Sequence, residues 1–257
     1  MAAQDGYLVR LAQDEADHAA ALRLRYQVFV QELGANGPLV DHAAQIERDE
    51  FDPHFDHMVL IDRARDPKAL DHVVGVYRLL PCDRMHQAGR FYSETEFDLS
   101  VLKASGRRLL ELGRSCVHRD HRGGTGMFLL WNALAAYVLE REIEVLFGAA
   151  SLHGTDVGAL KVPLSYLYHH HLAPEALRVR AIGAGAVGMD LLPDGQVDRR
   201  TAAAQIPALI KAYLRLGGFV GDGAFLDRAF NTTDVCLVMD TARMSAKHRD
   251  FYTKRRG

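Results

Sequence analysis

The sequence is short of the features that mark a disulfide-stapled, membrane-spanning or nucleic-acid-coating protein. Of 257 residues only three are cysteine (Cys82, Cys116 and Cys236), and none forms a C-x-x-C pair. That odd, scattered set points to a reducing compartment and away from a structural zinc site. No signal peptide opens the chain, and no apolar run approaches the roughly 18 residues of a spanning helix. The expected location is therefore the cytoplasm, either free or peripheral at the inner face of the cytoplasmic membrane. Charge of a single sign is lacking too. The net charge is −2, which excludes a general nucleic-acid binder and an acidic tail protein. Repeats, low-complexity linkers and obvious domain boundaries are absent as well.

What is present is ordinary globular material, 48 % apolar and 25 % charged, long enough to bury a substantial core. Residues 7–12, 58–61 and 73–80 predict strands. Leu22, Tyr26, Phe29, Val30 and Leu33 recur at helical spacing, predicting a helix from Asp14 to Gly34. Residues 34–56 then form a long loop with four acids in the six residues from Glu47 to Asp52, and loops of that length are usually functional or disordered.

Residues 109–117 predict a strand, and Phe128, Trp131, Leu134 and Val138 a following amphipathic helix. Residues 145–150 predict the next strand, giving a parallel crossover. Further along, residues 155–172 predict a helix and residues 177–182 and 187–191 short strands. A second amphipathic helix runs through Ile206, Leu209, Ile210, Tyr213 and Leu214, and residues 219–226 and 235–239 close the pattern. The expected architecture is one α/β (α+β) domain, residues 1–257, with a mixed and mostly antiparallel sheet flanked by helices. The stretch from about residue 155 to 257 is expected to extend the core.

Two groups of residues carry potential chemistry. Residues 118–126 form a basic, Gly-rich link between strand and helix, of the kind that offers free backbone N–H groups to a phosphate. Phosphopantetheine, the arm that carries acyl groups, presents such a phosphate; the plain alternative is a solvated turn. The second group is charge inside apolar strands. Arg78, Glu111 and Arg114 lie where burial is expected, with Asp49 and Asp52 just before. Such a set could grip a substrate having both an ammonium and a carboxylate, such as an amino acid, or could be a structural ion-pair network.

Other motifs carry less. His169, His170 and His171 are consecutive and cannot all ligate one ion from a helix, so no metal is expected. His57 and Asp62 match an H-x4-D acyltransferase signature by chance. The basic tail (Lys247, Arg249, Lys254, Arg255 and Arg256) reads as solvated, with an acidic carrier protein or anionic lipid as alternative partners.

Longer motifs carry a resemblance. Arg25-Tyr-Gln-Val-Phe29, Glu47-Arg-Asp49-Glu-Phe-Asp52, Val74-Gly-Val-Tyr-Arg78 and Glu111-Leu-Gly-Arg114 resemble the acyl-homoserine-lactone synthases of the GNAT superfamily. Phe147-Gly-Ala-Ala-Ser151, residues 163–174 and Ile210 to Gly223 instead resemble the L-ornithine Nα-acyltransferases of ornithine-lipid synthesis. The chain departs from the autoinducer synthases in having Leu33-Gly-Ala-Asn-Gly37 where they carry a Trp. In the loop, His121 stands where a GNAT pyrophosphate motif has Gln or Arg.

The resemblance implies a GNAT-like fold and transfer of a 3-hydroxyacyl group from acyl carrier protein to the α-amine of L-ornithine or a similar amino acid. It needs no cofactor beyond the donor's own phosphopantetheine. Glu111 is the expected catalytic base, its burial raising its pKa toward neutrality. Arg25, Phe29, Asp49, Asp52, Arg78 and Arg114 are expected to bind substrate. Val117, Arg119, Arg122, Gly124 and Gly126 are expected to hold the acyl donor. A separate O-acyltransferase would complete the lipid. The rivals are a glutamine N-acyltransferase, an autoinducer synthase using S-adenosylmethionine, and a non-catalytic acyl-carrier-binding module.

Overall fold

A computed structural model describes residues 2–4, 6–122 and 124–243; the basic tail from Lys247 to Arg256 lies outside the described residues. In chain order the strands and helices are β1 (Ala2–Gln4), β2 (Tyr7–Leu11), α1 (Glu15–Arg25), β3 (Asp56–Asp62), β4 (Val73–Pro81), α2 (Met85–Ala88), β5 (Phe97–Asp98), α3 (Ser100–Lys103), β6 (Leu109–Val117), α4 (Thr125–Glu140), β7 (Val145–His153), α5 (Lys161–His171), β8 (Arg180–Ala181), β9 (Ala186–Val187), α6 (Arg199–Gln205), α7 (Ala208–Arg215), β10 (Phe219–Val220), β11 (Ala224–Asp227) and β12 (Thr232–Asp240). No helix among the described residues is long and apolar enough to cross a membrane.

The chain forms two compact units, one of residues 1–89 with 112–142 and the other of residues 90–111 with 143–257. In the first, β1, β2 and β3 pair antiparallel in order, β3 pairs antiparallel with β4, and β4 neighbours β6. Successive side chains of β3 serve opposite faces, as strand geometry dictates. Val59 and Ile61 join Ala20, Ala21 and Leu24 of α1 in one core cluster. Leu60 faces α4 instead: a Cβ on Gly126 would stand 2.8 Å from its Cδ2, and one on Gly75 would meet Leu130 of α4 at 2.9 Å. Both faces are covered, so the nine residues of β4 are all buried and, Arg78 apart, read as an apolar run rather than an alternating one.

Asp14 caps α1 by accepting from the Asp17 N–H, and the helix continues through Arg25 as predicted. The last turns then widen into a π-helix, Tyr26–Glu32, which helical spacing alone does not reveal. Such widened turns are frequent at functional sites. Gly34, at φ +78°, stops the run.

The second unit holds the start of β6, which pairs in parallel with β7 from Leu109↔Val145 to Glu111↔Phe147. β12 pairs antiparallel with the whole of β7, and β11, β9 and β10 add short antiparallel ladders. The crossover through α4 is the one that the strand–helix–strand pattern predicts. The C-terminal half departs from expectation in detail. α5 starts only at Lys161, and the strand expected at residues 177–182 is a single turn of 3-10 helix followed by the two residues of β8. Pro207 cannot donate into a helix, so Ile206 falls between α6 and α7 instead of inside one long helix.

Candidate active site

The charges that looked out of place in the strands are paired with one another. Arg25, the last residue of α1, donates from Nε to Glu47 at 2.5 Å and from Nη1 to Asp52. Arg78 of β4 donates from Nη1 to Asp49 at 2.6 Å and to Asp52 at 2.8 Å, and its guanidinium lies 4.3 Å from the centroid of Phe55. Arg114 of β6 reaches Asp49 at 3.0 Å and lies 3.5 Å from Glu47. The long acidic loop is thus folded onto the sheet by three arginines. Its backbone adds bonds of its own, Asp49 N–H to Asp52 at 2.8 Å and Phe51 N–H to Asp49 at 2.9 Å.

Three cations face three carboxylates, and this balance decides their ionisation. Burial works against charge on Asp52, but Arg25 and Arg78 outweigh it and hold its carboxyl well below the usual range. Burial likewise opposes ionisation of Asp49, and Arg78 and Arg114 overcome it. Arg25, fully enclosed, is raised despite burial because Glu47 and Asp52 flank it. The network has an inside and a rim. The side chains of Arg25, Arg78 and Glu47 are at most 2 % exposed, whereas Asp52, Asp49 and Arg114 keep 12 %, 16 % and 11 %. Solvent-borne charge can be met only at the rim.

Arg114 stands at φ +50°, the left-handed region that a non-Gly residue seldom occupies, in the middle of a strand. Strain of this kind costs of order 1–3 kcal/mol and clusters at functional positions. It falls three residues after Glu111, where the parallel ladder to β7 ends.

Glu111 is buried, and its carboxylate accepts the backbone N–H of Tyr92 at 2.8 Å and of Ser93 at 2.6 Å. These charge-assisted bonds fix its orientation from the short turn Tyr92–Thr95. Phe29 sits in the π-helical turn, half-buried against the α1 cluster.

The donor-loop residues are more dispersed in role. Val117 ends β6, and its carbonyl accepts from Arg122 Nε at 2.9 Å. The other end of the Arg122 guanidinium donates to Glu32 at 2.7 Å. Arg119 is exposed in a 3-10 turn. Gly124 occupies the N-cap of α4 with open space where a Cβ would stand, and among the described residues no side chain caps the 16-residue helix, an arrangement that suits an anion at its N-terminus. Gly126 has a packing reason to be glycine, its closeness to Leu60. His121 is engaged by both ring nitrogens, with the Tyr7 hydroxyl at 2.8 Å and Arg65 at 3.2 Å.

His57, set aside in the sequence, touches this network. It is buried, its Nε2 lies 3.2 Å from the Asp52 carbonyl, and burial lowers its pKa to about 4. Cys116 is buried beside the network and its thiol is pushed up to about 12. His169 and His170 turn to different acids, Asp190 and Asp194, at 3.3 and 2.9 Å. Glu47 is the network member that sequence reasoning left out. Nothing in the acidic run distinguishes it from Glu50, which the fold leaves exposed.

Comparison with known proteins places this arrangement. The acetyltransferase (GNAT) domain family matches residues 24–132. The chain is 62 % identical to a Rhodobacter capsulatus protein named L-ornithine Nα-acyltransferase, over 99 % of this chain and 97 % of that one. A Brucella abortus protein of the same name is 39 % identical over 95 % of this chain and 88 % of its own. Among solved structures, the coenzyme A-dependent acyl-homoserine lactone synthase BjaI, bound to SAM and isopentyl-CoA, shares the fold with a TM-score of 0.52 at 15 % identity, covering 97 % and 89 % of the two chains. By this full-length similarity the chain is an acyltransferase of the GNAT superfamily and belongs to the L-ornithine Nα-acyltransferase family.

Proposed function

We infer that the protein transfers a 3-hydroxyacyl group from acyl carrier protein to the α-amine of L-ornithine, giving lyso-ornithine lipid. The observation that carries the reading is the 62 % identity, along nearly the entire chain, to a relative named for ornithine Nα-acylation. Ornithine has two ammonium groups and a carboxylate, and the rim of the ion-pair network supplies both signs. Asp49 and Asp52 bind ammonium, and Arg114 grips carboxylate. Arg25, Arg78 and Glu47 are positioning residues, since their side chains are enclosed. Phe29 lines the acceptor side.

The phosphopantetheine phosphate is assigned to the N-terminus of α4, with Gly124 letting the backbone approach and Arg119 and Arg122 adding charge. The thioester carbonyl is assigned to the backbone around Val117, where an N–H donor would steady the oxyanion; the His118 N–H is already given to the Val74 carbonyl at 2.8 Å. The acceptor amine must lose a proton before it attacks. Glu111 takes that proton, directly or through a water, the nitrogen adds to the thioester carbon, and the C–S bond breaks. The departing thiolate then recovers a proton. A thiol with a pKa of about 8.5 leaves readily, so no strong acid is required. Positioning of the two substrates supplies much of the rate, on the order of 7–11 kcal/mol in favourable cases. A separate O-acyltransferase would add the ester-linked chain, and the inner face of the cytoplasmic membrane is the place where the product belongs.

Mass spectrometry decides the reading. The purified protein is given 3-hydroxyacyl carrier protein with a mixture of ornithine, glutamine, lysine and S-adenosylmethionine. Acyl-ornithine is the expected product. Acyl-glutamine would move the acceptor to the nearest rival, a homoserine lactone would favour an autoinducer synthase, and activity with coenzyme A thioesters alone would overturn the carrier-protein donor.

A further inference from the structure

The second unit contains a group of acids that the acyl-transfer reading does not use. Glu96, Asp227 and Asp234 each present a carboxylate oxygen within 4.8 Å of the others. Glu96 and Asp234 are 3 % and 5 % exposed, and Asp227 is half-buried. Two of the three are placed by β-sheet register. Asp227 stands opposite Thr232 and Phe225 opposite Asp234, so Asp227, Thr232 and Asp234 project from one face of the β11–β12 hairpin. Glu96 comes from the turn that follows Phe91, the same turn whose Tyr92 and Ser93 N–H groups hold Glu111.

A second observation points to a ligand. Thr232 is 7 % exposed, its hydroxyl has no hydrogen-bond partner among the described residues, and it lies on the face of Asp227 and Asp234. A buried hydroxyl left unbonded costs about 1–3 kcal/mol, and one on the same hairpin face as two carboxylates can serve as a further oxygen ligand.

We propose that Glu96, Asp227 and Asp234, with the Thr232 hydroxyl, form a site for a hard divalent cation of calcium size. The donor set is all oxygen, which excludes the soft metals that favour thiolate or imidazole. Calcium–oxygen distances of about 2.3–2.6 Å place oxygens around one ion no more than about 4.6–5.2 Å apart, and the three carboxylate oxygens fall within that limit. Calcium also accepts irregular geometry and mono- or bidentate carboxylates, whereas magnesium demands a near-ideal octahedron and keeps several waters. Two of the acids are enclosed, which leaves little room for such waters. Bound there, the cation ties the turn that orients Glu111 to the β11–β12 hairpin. Asp227 Oδ1 already accepts the N–H groups of Ala229 and Phe230, so the same carboxylate links the ion to the hairpin turn.

The test uses the full-length protein, stripped with chelator and desalted. Calcium chloride, magnesium chloride and ornithine are titrated separately by calorimetry and by thermal melting. One calcium ion per chain is expected, with a Tm that climbs with calcium concentration and slowed amide exchange at Tyr92 and Ser93. Thr232→Val keeps the side-chain shape and removes one ligand, and should weaken calcium at least tenfold. Asp227→Asn, at the half-buried position, should weaken it further. Absence of heat and of a Tm shift with millimolar calcium in the unaltered protein would overturn the proposal. So would the same calcium affinity in both variants, stabilisation by magnesium alone, or equal protection by ornithine, which would make the acids a substrate pocket.

Discussion

The two units hold their buried carboxylates in different settings. In the first, Glu47, Asp49 and Asp52 are enclosed together with Arg25, Arg78 and Arg114, and the opposite charges lie within hydrogen-bonding distance. In the second, Glu111 accepts from two backbone N–H groups, and carboxylate oxygens of Glu96, Asp227 and Asp234 lie within 4.8 Å of one another. A balanced network resists change because removing any member leaves its partner charged and buried. The backbone N–H groups of Tyr92 and Ser93, by contrast, hold the Glu111 carboxylate in one orientation. The first arrangement suits fixed recognition of a zwitterion, the second the fixed presentation of a single carboxylate.

Four experiments bear on that contrast. Replacement of Arg25 by Met should have the largest effect. It leaves Glu47 and Asp52 short of a cation in an enclosed site, and should destabilise the fold by about 3–5 kcal/mol, read as a fall in denaturant midpoint. Glu111→Gln keeps size but only one of the two acceptor oxygens that Tyr92 and Ser93 use, so stability should fall by about 1–3 kcal/mol while turnover falls about 10²–10⁴-fold with the donor KM little changed. Near-normal turnover would remove Glu111 as base.

The third concerns pH. Burial lowers His57 to about 4, against about 6.5 in the unfolded chain. Between those values the unfolded chain binds the proton and the folded chain does not, so stability rises with pH across the window. The contribution is complete above about 6.5, is lost as pH falls toward 4, and amounts to about 3 kcal/mol at most. Asp49 and Asp52, lowered in the folded chain, act in the same sense further down, their contribution disappearing as pH drops below the usual carboxylate range. His57→Gln should flatten the upper part of the stability–pH curve and leave the acid limb; an unchanged curve would mean that His57 is not the titrating group.

The smallest effect is expected at Arg122. Its pairing with Glu32 means that a donor phosphate must compete for the guanidinium. Arg122→Ala should raise the KM for acyl donor several-fold and Glu32→Gln should lower it, because half-exposed pairs are worth only about 1 kcal/mol or less. Equal KM values in both variants would sink a phosphate role for Arg122.

Much of this was legible in the chain itself. Apolar periodicity predicts β3, β4, β6, α4 and β7 closely, and the two strands joined by a helix dictate the parallel crossover. Charge inside those strands marks Arg78, Glu111 and Arg114, because an unpaired charge in an apolar strand is costly wherever it folds. The family motifs extend the same reading to Arg25 and the acidic loop.

What the sequence could not decide was pairing. Glu47 and Glu50 are alike in a run of acids, and only the approach of α1 to the loop, through the Glu47 N–H and the Leu22 carbonyl at 3.2 Å, turns Glu47 inward to Arg25. The widened turn at Tyr26–Glu32, the left-handed Arg114 and the backbone donors under Glu111 likewise depend on segments distant in sequence. Glu96, Asp227 and Asp234 come together for the same reason, across more than 130 residues. Local order follows from neighbours along the chain, whose periodicity is written in the sequence. Which charges meet is set by the packing of elements far apart, and that information exists only once the chain has folded.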